Sequence, residues 1–199
     1  MATDNTTIYE LSFTPDNPSN TTITDEAGRV VYKVETVFPG SKTITQVCDA
    51  NGDVLAALQW REFRSDRLTR GRSKEISLGD WLKKSRIAFN SSVSFEDDKQ
   101  RKYKWTGVGS GEQMQLFAED FSSTNPIAKF VRPTRRSTQP ARLVLCARAL
   151  EIRDDVVLSF LFLEKSRRAT DNSTQHKADV LGTEDVSIGQ RAVDNGGVP

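Results

Sequence analysis

The eight residues Val156-Val157-Leu158-Ser159-Phe160-Leu161-Phe162-Leu163 constrain the fold more than any other stretch, because seven of them are apolar and Ser159 alone is not. Read as a helix, the segment has no wet side over two turns, and a helix that is apolar all round must be surrounded by protein. Its flanks suit a helix dipole, with Glu151, Asp154 and Asp155 near the start and Lys165, Arg167 and Arg168 at the end. A buried strand is the competing reading of an eight-residue apolar run, since periodicity alone does not separate the two. The charged flanks extend the segment to helix length, so a helix from Ala149 to Arg168 is expected.

Nearly everything before it reads as short strands. In Ile8 to Phe13, Tyr9, Leu11 and Phe13 alternate with polar neighbours, the period-two pattern of a strand with one buried face. Thr14 to Asn20 is dense in turn formers. Thr21–Thr24 and Arg29–Val37 flank the turn Asp25-Glu26-Ala27-Gly28, and Lys42–Cys48 and Val54–Trp60 flank Asn51-Gly52, a dipeptide whose two residues tolerate positive φ. Further strands are expected at Val93–Phe95, Lys102–Trp105, Met114–Glu119, Ile127–Arg132 and Arg142–Cys146. In Lys102-Tyr103-Lys104-Trp105 the aromatics face one way and the lysines the other. Ser77, with Asp80 three residues on, caps a short helix ending near Lys84, and Trp81 on it is expected to plug an open end. The architecture that follows is mainly β: a closed or nearly closed antiparallel barrel around one hydrophobic helix, with one extra short helix. Residues 1–7 form a flexible start, 8–168 the domain, and 169–199, which lacks aromatic residues, a disordered tail.

No catalytic or metal constellation emerges. The chain's one histidine, His176, falls in the expected tail, so histidine chemistry in the domain is excluded. Asp49 to Asp53 resembles the start of a calcium loop, but its glycine comes too early and Trp60 stands where the bidentate Glu belongs. Gly107 to Gly111 is followed by alternating residues rather than a helix N-terminus, so it reads as a hairpin and not a phosphate cradle. The adjacent acids Glu96-Asp97-Asp98 and Glu119-Asp120 read as solvated turns. The two cysteines, Cys48 and Cys146, are too few for a disulfide framework and are expected to be buried thiols, with one disulfide the alternative. No secretory signal or 18-residue apolar run occurs, so a cytoplasmic protein, peripheral at membranes if it meets them, is the expectation.

Total charge names no partner, with 28 Lys plus Arg against 27 Asp plus Glu. Its distribution does. Arg61 to Lys74 and Lys129 to Arg142 are basic windows, the second without an acid. An anionic ligand is expected at Arg64, Arg67 and Arg70 in the first and Arg132, Arg135 and Arg136 in the second, since a guanidinium donates two parallel hydrogen bonds to phosphate. For any single arginine, a solvated face that blunts a strand edge is the competing reading.

Several segments in order carry a family resemblance: Ser12-Phe13-Thr14-Pro15-Asp16-Asn17-Pro18, Thr22-Ile23-Thr24-Asp25, Val54 to Arg61, Trp81-Leu82-Lys83-Lys84, Arg101 to Trp105, Phe117-Ala118-Glu119-Asp120 and Glu151 to Asp155. Over residues 8 to 168 the chain resembles an uncharacterised domain-of-unknown-function family of basidiomycete fungi, itself similar to the LURP-one and tubby C-terminal superfamily. The resemblance implies a closed barrel threaded by a hydrophobic helix. It transfers no catalytic residues and no cofactor. Tubby-like domains bind phosphoinositides through basic residues, so it implies a non-catalytic module for anionic lipid head groups; a protein-interaction scaffold is the alternative, and nucleic acid is disfavoured because the aromatics read as buried.

Overall fold

The computed structural model describes residues 8–61, 64–85, 91–120, 125–134 and 138–184, with side chains as far as Ser173. Thirteen strands form one antiparallel sheet. They are β1 (Tyr9–Thr14), β2 (Thr21–Thr24), β3 (Val30–Val37), β4 (Thr43–Asp49), β5 (Val54–Trp60), β6 (Arg67–Arg70), β7 (Ile76–Ser77), β8 (Lys83–Lys84), β9 (Val93–Glu96), β10 (Lys102–Thr106), β11 (Gln115–Ala118), β12 (Ala128–Val131) and β13 (Ala141–Leu145). The order across the sheet is β7-β6-β5-β4-β3-β2-β1-β13-β12-β11-β10-β9-β8. Consecutive strands are neighbours except β7 and β8, and the one non-local pairing, β1 with β13, joins two meanders.

The sheet is not closed by hydrogen bonds. Its edge strands β7 and β8 have two residues each and do not pair with one another; the single helical turn α1 (Leu78–Trp81) joins them. Asp80 Oδ2 accepts the Ser77 N–H at 3.3 Å, as the capping pattern predicts. Trp81 is buried and lies across this seam, its ring 5.8 Å from that of Phe95 on β9 and 4.7 Å from the Arg70 guanidinium on β6.

The apolar run forms part of α3 (Arg153–Glu184), preceded by α2 (Ala147–Leu150). The expected helix from Ala149 is thus broken at Glu151-Ile152 and continues past Arg168 into the stretch read from composition as a tail. Extending a helix that packing has already nucleated costs far less than starting one, which lets polar residues such as Thr170 and Asn172 join it. Residues 185–199 lie outside the described residues.

Val156 to Leu163 are buried without exception, Ser159 included. Phe160 meets rings from three strands, Phe13 of β1, Trp105 of β10 and Phe130 of β12, at centroid distances of 5.4, 6.2 and 4.5 Å. The indole N–H of Trp105 donates to Ser159 Oγ at 2.9 Å, which satisfies the one polar side chain of the run. Tyr103 and Trp105 face inward at 0% exposure, as their alternation with lysines requires. Helix side chains meet both halves of the sheet, Tyr32 of β3 and Arg70 of β6 on one side and Trp105 and Arg132 near β10 and β12 on the other. The sheet therefore curls around α3.

Candidate functional site

Two rims surround the ends of the buried segment, and they differ in how their charges are spent. At about 1.5 Å of rise per residue, Asp155 at one end and Glu164 at the other are about 14 Å apart along the helix axis. Near Asp155 the charges are interlocked. Arg70 pairs with Asp155; Arg101 bridges Asp97 at 2.6 Å and Glu151 at 2.8 Å; Arg148 bridges Asp120 at 2.6 Å and Glu151 at 2.7 Å. The Tyr32 hydroxyl donates to Asp154 at 2.5 Å and accepts from Arg153 Nε at 2.8 Å. Hydrogen bonds from Arg101 and Arg148 lower the Glu151 pKa. Asp155 goes the other way: burial, helped by Asp98, Asp154 and Asp97, outweighs Arg70 and pushes its carboxyl up to about 6. A cleft of about 410 Å3 opens here, and Asp97, Asp98, Glu151, Asp154 and Asp155 line it with Arg70, Arg101 and Arg153. Its arginines already have carboxylate partners, so it offers an incoming anion little. Lys99 nearby and Lys74 in the adjoining cleft are outside these pairs but stand among the same aspartates.

At the other rim Thr45 of β4, Trp60 of β5 and Arg132 after β12 meet α3 at Glu164 and Lys165. This carboxylate, 1% exposed, accepts from Arg132 at 2.5 Å, Arg167 at 2.5 Å and Arg168 at 2.7 Å. One buried carboxylate thus holds three guanidiniums, and Arg168 also reaches Asp16 at 2.5 Å. Lys165 lies 4.1 Å from the Trp60 ring centroid and donates to Thr45 Oγ1 at 2.8 Å, and burial pushes its pKa down to about 8. Register places Lys42 and Arg61 beside this point, because Thr43 pairs with Trp60. Lys42 and Arg64 are exposed, Arg61 is half-buried, and among the described residues none of the three makes an ion pair. Phe38, 71% exposed, stands at the tip of the β3–β4 hairpin.

The six arginines read from the two basic windows therefore fare differently. Arg132 lies on the Glu164 rim, tied to Glu164, and Arg64 is exposed between β5 and β6. Arg67 begins β6 opposite Gln59 and has a 3.8 Å contact to Glu75. Strand alternation from Leu68 turns Arg70 inward, where it pairs with Asp155 at the opposite rim. Arg135 and Arg136 lie outside the described residues. Sequence reading missed Lys42, Lys84 and Lys165. Only pairing register shows that Lys42 borders Arg61, though the proline-glycine turn before it marked a hairpin.

Between β7, β8 and α3 lies a pocket of about 520 Å3 lined by Leu78, Leu82, Val93, Val108 and Leu163, with Lys84, Asp66 and Arg167 among its polar groups. Val108 belongs to the glycine-rich connection, where Gly107 has φ +65° and a Cβ would stand 2.0 Å from the Gln113 carbonyl oxygen, so the loop folds back on itself and only glycine fits. No group of three His, Cys, Asp or Glu able to hold a metal occurs among the described residues. Cys146 is buried and Cys48 half-buried, and both are free thiols. No helix among the described residues is long and apolar enough to cross a membrane.

These features define a β-rich domain whose curled sheet encloses an apolar helical segment between two charged rims. The chain belongs to the family of unknown function DUF6593, whose model matches residues 16–169. The match stops close to where the side chains of α3 emerge from the core. A crystal structure of a protein from Arabidopsis thaliana is similar at 17% identity and a TM-score of 0.45, over 76% of this chain and 88% of that one. No curated protein matches the chain.

Proposed function

We propose that the protein is a non-catalytic binding module that recognises anionic lipid head groups through the Glu164 rim. The observation that carries this reading is the contrast between rims: Lys42 and Arg61, brought side by side by register, and the exposed Arg64 that follows in sequence make no ion pair among the described residues, while Arg70, Arg101, Arg148 and Arg153 at the far end are engaged. A cation with no partner keeps its full attraction for phosphate, whereas a paired one must first give up its carboxylate. Phe38 beside Lys42 gives the rim an apolar point among the cations, the combination that favours a lipid surface over a free anion. Arg132, 44% exposed, adds a guanidinium that the buried Glu164 holds in place. On this reading the fold is of the tubby-like kind, with the seam bridged by α1 in place of hydrogen-bonded closure, and the domain works at the cytoplasmic face of membranes.

The test is co-sedimentation with vesicles at about 0.15 M salt, where charges farther apart than about 8 Å are screened. Vesicles containing phosphatidylserine or a phosphoinositide should pellet the protein, and pure phosphatidylcholine should leave it in solution. Equal behaviour with both removes the proposal.

A further inference from the structure

Around most of its circumference α3 is separated from solvent by a hydrogen-bonded strand. At the seam it is not. β7 and β8 are too short to pair across the gap, and the one turn of α1 spans it. The 520 Å3 pocket opens at this gap and reaches Leu163 of α3, with Leu78 of α1, Val93 of β9 and Val108 of the glycine loop as its other apolar walls. Its volume falls inside the range of about 300–1,000 Å3 typical of small-ligand sites, which are mostly apolar with few polar groups. Its charged groups are Asp66, Lys84, Arg167 and Asp171; Arg167 is held by Glu164 at 2.5 Å, and Asp66 accepts the Arg61 N–H at 2.8 Å. Lys84 is exposed and makes no ion pair among the described residues, which marks it as the cation of the mouth.

We propose that the seam pocket takes the acyl chain of an anionic amphiphile, with the phosphate or carboxylate head beside Lys84. The inference rests on the anionic-lipid reading above and adds to it the apolar half of the ligand. An acyl chain fits because Leu78, Leu82, Val93, Val108 and Leu163 give the pocket an aliphatic side that reaches the protein's own core, with serines and charged groups lining the rest. A head group alone would leave those walls wet. The chain can come from a bilayer lipid drawn partly out of its leaflet or from a free single-chain lipid; both present the same chemistry.

The experiment uses the full chain, a fluorescent dodecanoate below its micelle concentration, and phosphatidylserine vesicles. Val108→Trp and Leu78→Trp fill the pocket from two sides, and Lys84→Glu reverses the mouth charge at an exposed position that tolerates change. If the source is a free lipid, wild type binds the probe saturably, lysophosphatidate displaces it, and a filling variant or Lys84→Glu weakens binding by about tenfold or more while vesicle association persists. If the source is the bilayer, the probe binds weakly and the same variants lose vesicle association. Folded variants, judged by unchanged melting, that match wild type in both arms overturn the proposal. Wild type that binds the probe but ignores anionic vesicles refutes the membrane reading and leaves the pocket standing. Wild type that pellets with vesicles while the variants do likewise refutes the pocket and leaves the membrane reading standing.

Discussion

Phe160→Ala probes the enclosure of α3 most sharply. Phe160 is 1% exposed, and its ring lies 4.5 Å from Phe130, 5.4 Å from Phe13 and 6.2 Å from Trp105 by centroid distance. Those partners come from β12, β1 and β10, so collapse around the missing ring would require three strands to move at once. Truncating a buried phenylalanine costs about 3–5 kcal/mol, combining lost transfer free energy with a residual cavity, and the inability to collapse puts this site toward the upper end. In a domain of this size each kcal/mol lowers Tm by about 2–4 °C, so a drop of about 6–20 °C follows. Urea unfolding followed by circular dichroism gives the free energy, with an unchanged slope showing that the same surface is exposed. A loss below about 1 kcal/mol would mean that residue 160 sits at a surface and that the sheet does not enclose the helix.

Ser159→Ala leaves the Trp105 indole N–H without its 2.9 Å acceptor in a dry core; urea melts should show a loss of about 1–3 kcal/mol, and Trp105→Phe in the Ser159→Ala background should add less than Trp105→Phe alone. Glu164→Gln removes the charge that holds Arg132, Arg167 and Arg168, and with Arg167 only 3% exposed it should cost about 3–5 kcal/mol by the same measurement. Asp155 should titrate near 6 by carboxyl NMR against an ordinary value of 3.8. Because the folded value is raised, the protonated form favours folding: this contribution is fully present below the unfolded pKa and is lost as pH rises through about 6, amounting to no more than about 3 kcal/mol. Stability should therefore fall between pH 4 and 7 in wild type by more than in Asp155→Asn, and a midpoint near 4 would contradict the burial argument.

Strands with a period-two pattern were legible from the residues. Lys102 to Trp105 and Val54 to Trp60 alternate clearly, and the strands lie where the alternation puts them. β6 was hidden because Arg67-Leu68-Thr69-Arg70 has one apolar residue, and its strand state comes from pairing with β5 rather than from its own composition. β7 and β8 are too short to carry any period. The open seam was illegible for the same reason, since it depends on which strands end the sheet. The candidate site was legible only as charge density. Arg70 and Asp155 are far apart in sequence, and no local pattern shows that one neutralises the other; only the inward parity of Leu68 and Arg70 hints at it. Glu164 carries no local signal of its place, and it organises three arginines because the helix carries it into the rim.

The claim that one rim, and not the other, meets an anionic surface is tested most directly by partitioning onto phosphatidylserine vesicles across a salt series. Wild type should be compared with Arg61→Glu/Arg64→Glu and with Arg29→Glu, whose exposed guanidinium pairs with Asp25 just before Tyr32, a partner of Asp154. Binding should weaken with salt, be abolished by the paired reversal and be unchanged by Arg29→Glu. Equal binding by all three proteins, or a loss confined to Arg29→Glu, would contradict the role given to this rim.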